Sequence, residues 1–222
     1  MTLEQWPSPE AVIFDWDNTL IDSWPCIHMA INATMKAMDM PQWTLEETHE
    51  RVGLSMRDAF PTLFGDRWEE ARDVFYAAFR EAHLDMLVAL PSAEALLQHL
   101  TDSMQCALVV VSNKTGGFLR EEVTALGWDR YFHSLVGAGD AAKDKPALEP
   151  VHMALEGLEL SPQRHLWCIG DSWVDIALGA AAGANTVLLR PDPPKDEEFD
   201  QNPPNEWVKD CKTLLERLKE RS

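Results

Sequence analysis

The chain has 222 residues, 45% of them apolar, which is enough for one large domain or for a core with a smaller companion. A net charge of −18 lacks the basic footprint of a nucleic-acid binder and disfavours an anionic membrane surface. Four scattered cysteines without metal-type spacing, a polar start and no apolar run of transmembrane length point to a cytoplasmic setting with no leader or membrane anchor.

In chain order, the first predicted element is the run Val12-Ile13-Phe14, a buried strand that stops where Asp15-Trp16-Asp17 begins. In a period-two strand Asp15 and Asp17 point the same way. Two neighbouring carboxylates repel, so they need a cation, a proton or solvent to coexist. The pair therefore suggests either a metal site or acid-base chemistry at the carboxyl end of a strand.

From about 21 to 90 no convincing strand follows, and helix signals dominate. Ser23 is placed to cap a helix carrying Ile27, Ile31, Thr34, Met35 and Met38 on one face. Thr44-Leu45-Glu46-Glu47 is a capping-box pattern. Gly53 and Gly65 punctuate, and a longer helix is expected from about Asp66 to His83. Beyond Pro91, strand candidates at 107–111, 166–169 and 186–189, with a weaker one at Leu135-Val136, alternate with helical patterns. That rhythm predicts an α/β fold, a parallel sheet core covered by helices on both faces. Residues 191–204 read as an acidic, proline-rich loop, and Leu214, Leu215 and Leu218 mark a last helix packing back on the core.

Polar clusters follow four of these strands: Asp15 and Asp17; Ser112-Asn113-Lys114; Lys143-Asp144-Lys145-Pro146; and Gly170-Asp171 with Asp175. In an open α/β sheet, ligands bind outside the carboxyl ends of the strands, so the four clusters can converge. Asp15, Asp17 and Asp171 supply hard oxygen ligands suited to Mg²⁺. Ser112 and neighbouring N–H groups can bond phosphate oxygens, and Lys145 supplies positive charge for a transferring phosphoryl group. Taken singly, Asp171 or Asp175 is equally a helix cap or a solvated acid, and Ser112 a turn residue. Only the joint pattern favours chemistry.

Asp15-Trp16-Asp17-Asn18-Thr19-Leu20 resembles the DxDxT opening motif of the haloacid dehalogenase-like hydrolase superfamily. The strand ending at Ser112 resembles its second motif, Lys145-Pro146 its third, and Gly170-Asp171 with Asp175 its fourth. The resemblance is to the helical-cap subgroup and within it to phosphoglycolate phosphatase-like members. It implies a Rossmann-like core at 1–20 and 91–222 and an all-helical cap inserted at 21–90. It further implies an Mg²⁺-dependent phosphatase acting on a small phosphorylated metabolite of the phosphoglycolate or sugar-phosphate type, as a monomer or homodimer. Asp15 would be the nucleophile, and Asp17 would protonate the leaving oxygen and then activate water. Asp15, the main-chain carbonyl of Asp17, and Asp171 would hold the metal, with Asp175 in support. Ser112, Asn113 and Lys145 would hold phosphoryl oxygens. Lys143 is read as a surface charge, Lys114 as facing solvent, and Thr19 as ordering the acidic loop by hydrogen bonding. Trp24 and Arg57 are the candidates for a substrate pocket in the cap. The competing readings are a phosphomutase similar to β-phosphoglucomutase, a 2-haloacid dehalogenase, and a non-catalytic binding protein.

Overall fold

A computed structural model describes residues 3–161, 165–199 and 201–221. Strand β1 (Ala11–Phe14) is buried at every position, as a central parallel strand covered on both faces must be. A two-residue strand, β2 (Ile21–Asp22), leads into four helices: α1 (Trp24–Ala37), α2 (Leu45–Arg51), α3 (Met56–Phe64) and α4 (Trp68–Ala82). Strand β3 (Val88–Ala89) then pairs antiparallel with β2, so the entering and leaving chains are stapled together. The remainder alternates: α5 (Ala93–Gln98), β4 (Ala107–Thr115), α6 (Gly116–Ala125), β5 (Phe132–Ala138), α7 (Glu149–Ala154), β6 (Leu166–Gly170), α8 (Trp173–Ala181), β7 (Asn185–Leu189), β8 (Glu206–Val208) and α9 (Cys211–Lys219).

Six strands form one sheet in the order β5-β4-β1-β6-β7-β8, with every pairing parallel. The chain winds outward in both directions from β1, which places the topological switch at that strand. Alternate residues of β1 feed opposite cores. Val12 and Phe14 pack with Leu96, Leu119 and Leu214 from α5, α6 and α9, whereas Ala11 and Ile13 pack with Val151 and Leu178 from α7 and α8. A third cluster lies within the helical insertion, built from Ala30, Phe60, Phe75 and their neighbours and joined by Phe118 of α6. Among the described residues, no helix is long and apolar enough to cross a membrane.

The α/β core and the helical insertion follow the expectation, and so does the capping box. Thr44 Oγ1 accepts from the Glu47 N–H at 3.1 Å, and the Glu47 carboxylate accepts from the Thr44 N–H at 2.8 Å. Two corrections concern strands. The segment expected to lack strands contains β2 and β3, and β8 follows the acidic loop. Each has three residues or fewer, too short for a two-residue period to register. Ser23 precedes α1 without capping it; its hydroxyl is committed to the Asp17 carboxylate.

Candidate active site

The sheet register brings the polar clusters level. Phe14 lies opposite Val110 on one side and Ile169 on the other, so Asp15 and Asp171, which directly follow β1 and β6, stand near the level of Ser112 inside β4, which runs on to Thr115. The Asp15 N–H donates to the Ile169 carbonyl at 2.9 Å, fixing the first residue beyond β1. Gly170 lets the next acid approach: a Cβ there would stand 2.3 Å from Asp175 Cβ.

Lys145 occupies the centre. Its Nζ donates to Asp15 Oδ1 at 2.6 Å and to Asp175 Oδ1 at 2.7 Å, with all three side chains buried. Asp175 spends its other oxygen on the N–H and Oγ–H of Ser172, at 3.1 and 2.6 Å. Burial pulls the Lys145 ammonium down, but the two carboxylates outweigh it and the pKa is raised. For Asp15, burial is the largest influence; Asp175 and Asp17 add to it, Lys145 opposes, and the carboxyl is pushed up to about 7. Asp171 moves the same way, through burial first and then the charges of Asp15 and Asp175. Ligand oxygens of Asp15, Asp171 and Asp175 all lie within 4.8 Å of one another. One ammonium among three converging carboxylates leaves an excess of negative charge. The donors are all hard oxygens, so the set fits a divalent cation such as Mg²⁺.

Asp17 lines the same cavity but makes a separate set of contacts. Its Oδ1 accepts from Lys114 Nζ at 2.7 Å and from the Ser23 hydroxyl. Asn18, at φ 61°, turns the chain, and its side-chain oxygen accepts from the Ser23 N–H at 3.1 Å. The loop carrying Asp17 is thereby tied to the first turn of the insertion.

Two expectations, for Lys114 and Thr19, are corrected, and two site candidates, Asn113 and Arg57, are engaged with protein groups. Lys114 does not face solvent: it is buried, and it bridges Asp17 to Glu122 Oε2, 2.6 Å away. Burial lowers its pKa and the two carboxylates raise it, with a net rise. Asn113 lines the cavity, but its amide group serves the main chain, accepting from the Lys145 N–H at 3.1 Å and donating to the Gly53 carbonyl at 3.1 Å. It therefore positions Lys145 and ties the insertion to the core. Thr19 Oγ1 is buried without a hydrogen-bond partner among the described residues, so it does not order the loop through its hydroxyl. Arg57 is not among the residues lining the cavity; its Nη2 donates to Asp144 Oδ1 at 2.6 Å, pinning α3 to the loop before Lys145.

Lys143 is exposed beside Glu149, as expected of a surface charge, and Trp24 does line the cavity. Sequence reasoning missed Glu122 and His83. The buried Glu122 carboxylate accepts from Trp16 Nε1 at 2.7 Å and from Lys114, and lies 3.1 Å from His83 Nδ1. Beside Asp15, Ser112, Lys145 and Asp171, a cavity of about 170 Å³ lies between core and insertion.

The family profile described as haloacid dehalogenase-like hydrolase matches residues 12–189. A phosphoglycolate phosphatase from Aquifex aeolicus is 27% identical over 180 residues, covering 80% of this chain and 83% of its own length. A pyrophosphatase, PpaX, from Anoxybacillus flavithermus is 27% identical over 176 residues, covering 79% of this chain and 81% of its own length. Among solved structures, a haloacid dehalogenase-like family hydrolase from Streptococcus pneumoniae superposes with a TM-score of 0.82 at 21% identity, over 95% of this chain and 99% of that one. A structure from Haemophilus somnus described as a predicted phosphoglycolate phosphatase superposes with a TM-score of 0.80 at 22% identity, over 95% and 98%.

Proposed function

The chain belongs to the haloacid dehalogenase-like hydrolase family, as an enzyme that hydrolyses phosphate esters, and from that premise we propose an Mg²⁺-dependent phosphomonoesterase that works through an aspartyl-phosphate on Asp15. The observation that carries this reading is the convergence of Asp15, Asp171 and Asp175 on one another, with Lys145 bridging Asp15 and Asp175, beyond the ends of β1 and β6. Its substrate is a small phosphorylated metabolite, with phosphoglycolate and sugar phosphates as the reference compounds. Residues 21–90 act as the cap, residues 1–20 and 91–222 as the catalytic core, in a cytoplasmic monomer or homodimer.

The convergence of these groups supports the following roles. Asp15 attacks phosphorus, the bond to the leaving oxygen breaks, and Asp17 gives that oxygen a proton. Asp17 then takes a proton from the water that cleaves the aspartyl-phosphate, releasing inorganic phosphate and restoring Asp15. Lys145 and Ser112 hold the phosphoryl oxygens, and Asn113 keeps the Lys145 main chain in register. Asp15, Asp171 and the main-chain carbonyl of Asp17 would hold the metal, with Asp175 supporting. Bound there, the cation offsets the negative charge shared by the phosphoryl group and the carboxylates.

Phosphate release from p-nitrophenyl phosphate is expected only with Mg²⁺ and is expected to stop on addition of EDTA. Turnover insensitive to EDTA overturns the metal assignment. Conversion of a hexose phosphate to its positional isomer, in place of phosphate release, identifies a mutase instead.

A second prediction concerns pH. A metal-bound carboxylate must be ionised, whereas the metal-free Asp15 carboxyl titrates at about 7. Mg²⁺ affinity is expected to rise as pH is raised through about 7, by up to about tenfold per unit below it. The folded value lies above the ordinary 3.8, so protonated Asp15 stabilises the metal-free fold fully below pH 3.8. That contribution is lost as pH rises through about 7. Calorimetric titration with Mg²⁺ at pH 6, 7 and 8 checks this, and a flat affinity profile counts against it.

A further inference from the structure

Resting on the phosphatase reading, we infer that the preferred substrate is a phosphomonoester whose alcohol carries one compact apolar group, an aromatic ring or a short branched chain. A polyol or a carboxylate in that position is disfavoured.

The cavity has two unlike halves. The core half is charged, with Asp15, Lys145 and Asp171 beside Ser112. The insertion half is apolar, and Trp24, Ile27, Leu54, Met56 and Leu63 are among its walls. Arg51 is the one charged side chain on that half among the described residues, and it is already engaged. Its guanidinium lies 5.0 Å from the Trp43 ring centroid and 3.2 Å from the Glu47 carboxylate.

A polyol against this wall finds few partners for its hydroxyls, and each hydroxyl left without one weakens binding. A second carboxylate finds one cation on this wall, Arg51, which already bonds Glu47. An apolar group loses nothing on entering and gains about tenfold to hundredfold for a ring-sized surface withdrawn from water. The whole cavity, charged half included, measures about 170 Å³, a scale that suits a compact group beside the phosphoryl group. Leu54, between α2 and α3, remains 42% exposed at this wall, a large apolar side chain with surface left for a ligand to cover. The reaction is ordinary ester hydrolysis: water cleaves the P–O bond, the alcohol keeps its oxygen and gains a proton, and inorganic phosphate leaves.

The test compares kcat/KM, with Mg²⁺, for 2-phenylethyl phosphate, glycerol 3-phosphate and phosphoglycolate, all primary alkyl esters. Acetyl phosphate, reactive and without a ring, reports the core chemistry independently. The phenylethyl ester is expected to exceed the other two at least tenfold. Equal values, or the reverse order, alongside active acetyl phosphate hydrolysis overturn the substrate inference and leave the phosphatase reading standing. Failure on all four, acetyl phosphate included, overturns the phosphatase reading and the inference with it. Leu54→Lys alters an exposed position, so folding is not at stake. It is expected to cut the phenylethyl-to-phosphoglycolate ratio at least fivefold, and an unchanged ratio overturns the role assigned to this wall.

Discussion

Asp15→Asn is expected to abolish turnover, lowering kcat by a factor on the order of 10⁴ or more while the protein stays folded. The amide has the shape of the carboxylate but no nucleophilic oxygen of comparable strength. The fold tolerates the change because the wild-type charge is itself unfavourable. Burial and the neighbouring acids push Asp15 upward, so its ionised form is the strained one. Asparagine keeps an oxygen for Lys145 Nζ, which retains Asp175 as its ionic partner. The metal-free variant is therefore expected to melt within a few degrees of wild type at pH 6 and to gain relative stability at pH 8, where Asp15 is charged. Acid-quenched single turnover should trap phosphoenzyme in wild type and none in the variant. A folded Asp15→Asn protein that forms phosphoenzyme at the wild-type level excludes Asp15 as the nucleophile.

Why the sequence disclosed Asp15 so readily, and other parts of the site not at all, has a physical basis. Strands β1 and β6 and the first part of β4 are buried, so each writes itself as an unbroken apolar run, and the first polar residue after each run stands near the level where β1 and β6 end, although β4 itself continues to Thr115. Asp15, Ser112 and Asp171 are found that way, and a parallel sheet then brings them together. Partner choice among long polar side chains has no such local signature. Glu121 and Glu122 are adjacent acids on α6, yet one is exposed and the other sits in a buried network with Trp16, Lys114 and His83. Those contacts reach across 106, 8 and 39 residues. Lys114 reads as solvent-facing for the same reason, since nothing nearby in sequence announces the two carboxylates that bury it. Arg57 has the right charge for an anionic ligand, but only the tertiary fold reveals that Asp144 already holds it.

The largest combined effect on stability and catalysis is expected from Lys114→Met. Lys114 is the shared cation of Asp17 and Glu122, with 4% of its side chain exposed, and it lies 5.1 Å from the Phe79 ring of α4. Removing one partner from a buried ion pair costs about 3–5 kcal/mol, because the orphaned charge stays buried. For a chain of this length that corresponds to a melting-temperature drop of roughly 6–20 °C. The catalytic consequence is separate. Without the ammonium, Asp17 is left with the Ser23 hydroxyl as its remaining side-chain partner among the described contacts, and the group that must hand a proton to the leaving oxygen is no longer held in place. The kcat for an alkyl phosphate should fall about 100-fold, in the range typical of lost general acid-base catalysis, with KM changed by no more than a few-fold. p-Nitrophenyl phosphate should lose far less, because its phenolate departs without a proton. Adding Glu122→Gln removes the orphaned charge while keeping an acceptor for Trp16 Nε1, so the double variant should recover much of the melting temperature. It should not recover the leaving-group dependence, because Asp17 still lacks its cation. If stability and leaving-group dependence return together, Lys114 serves the fold alone; if only stability returns, the buried lysine is what places the proton donor.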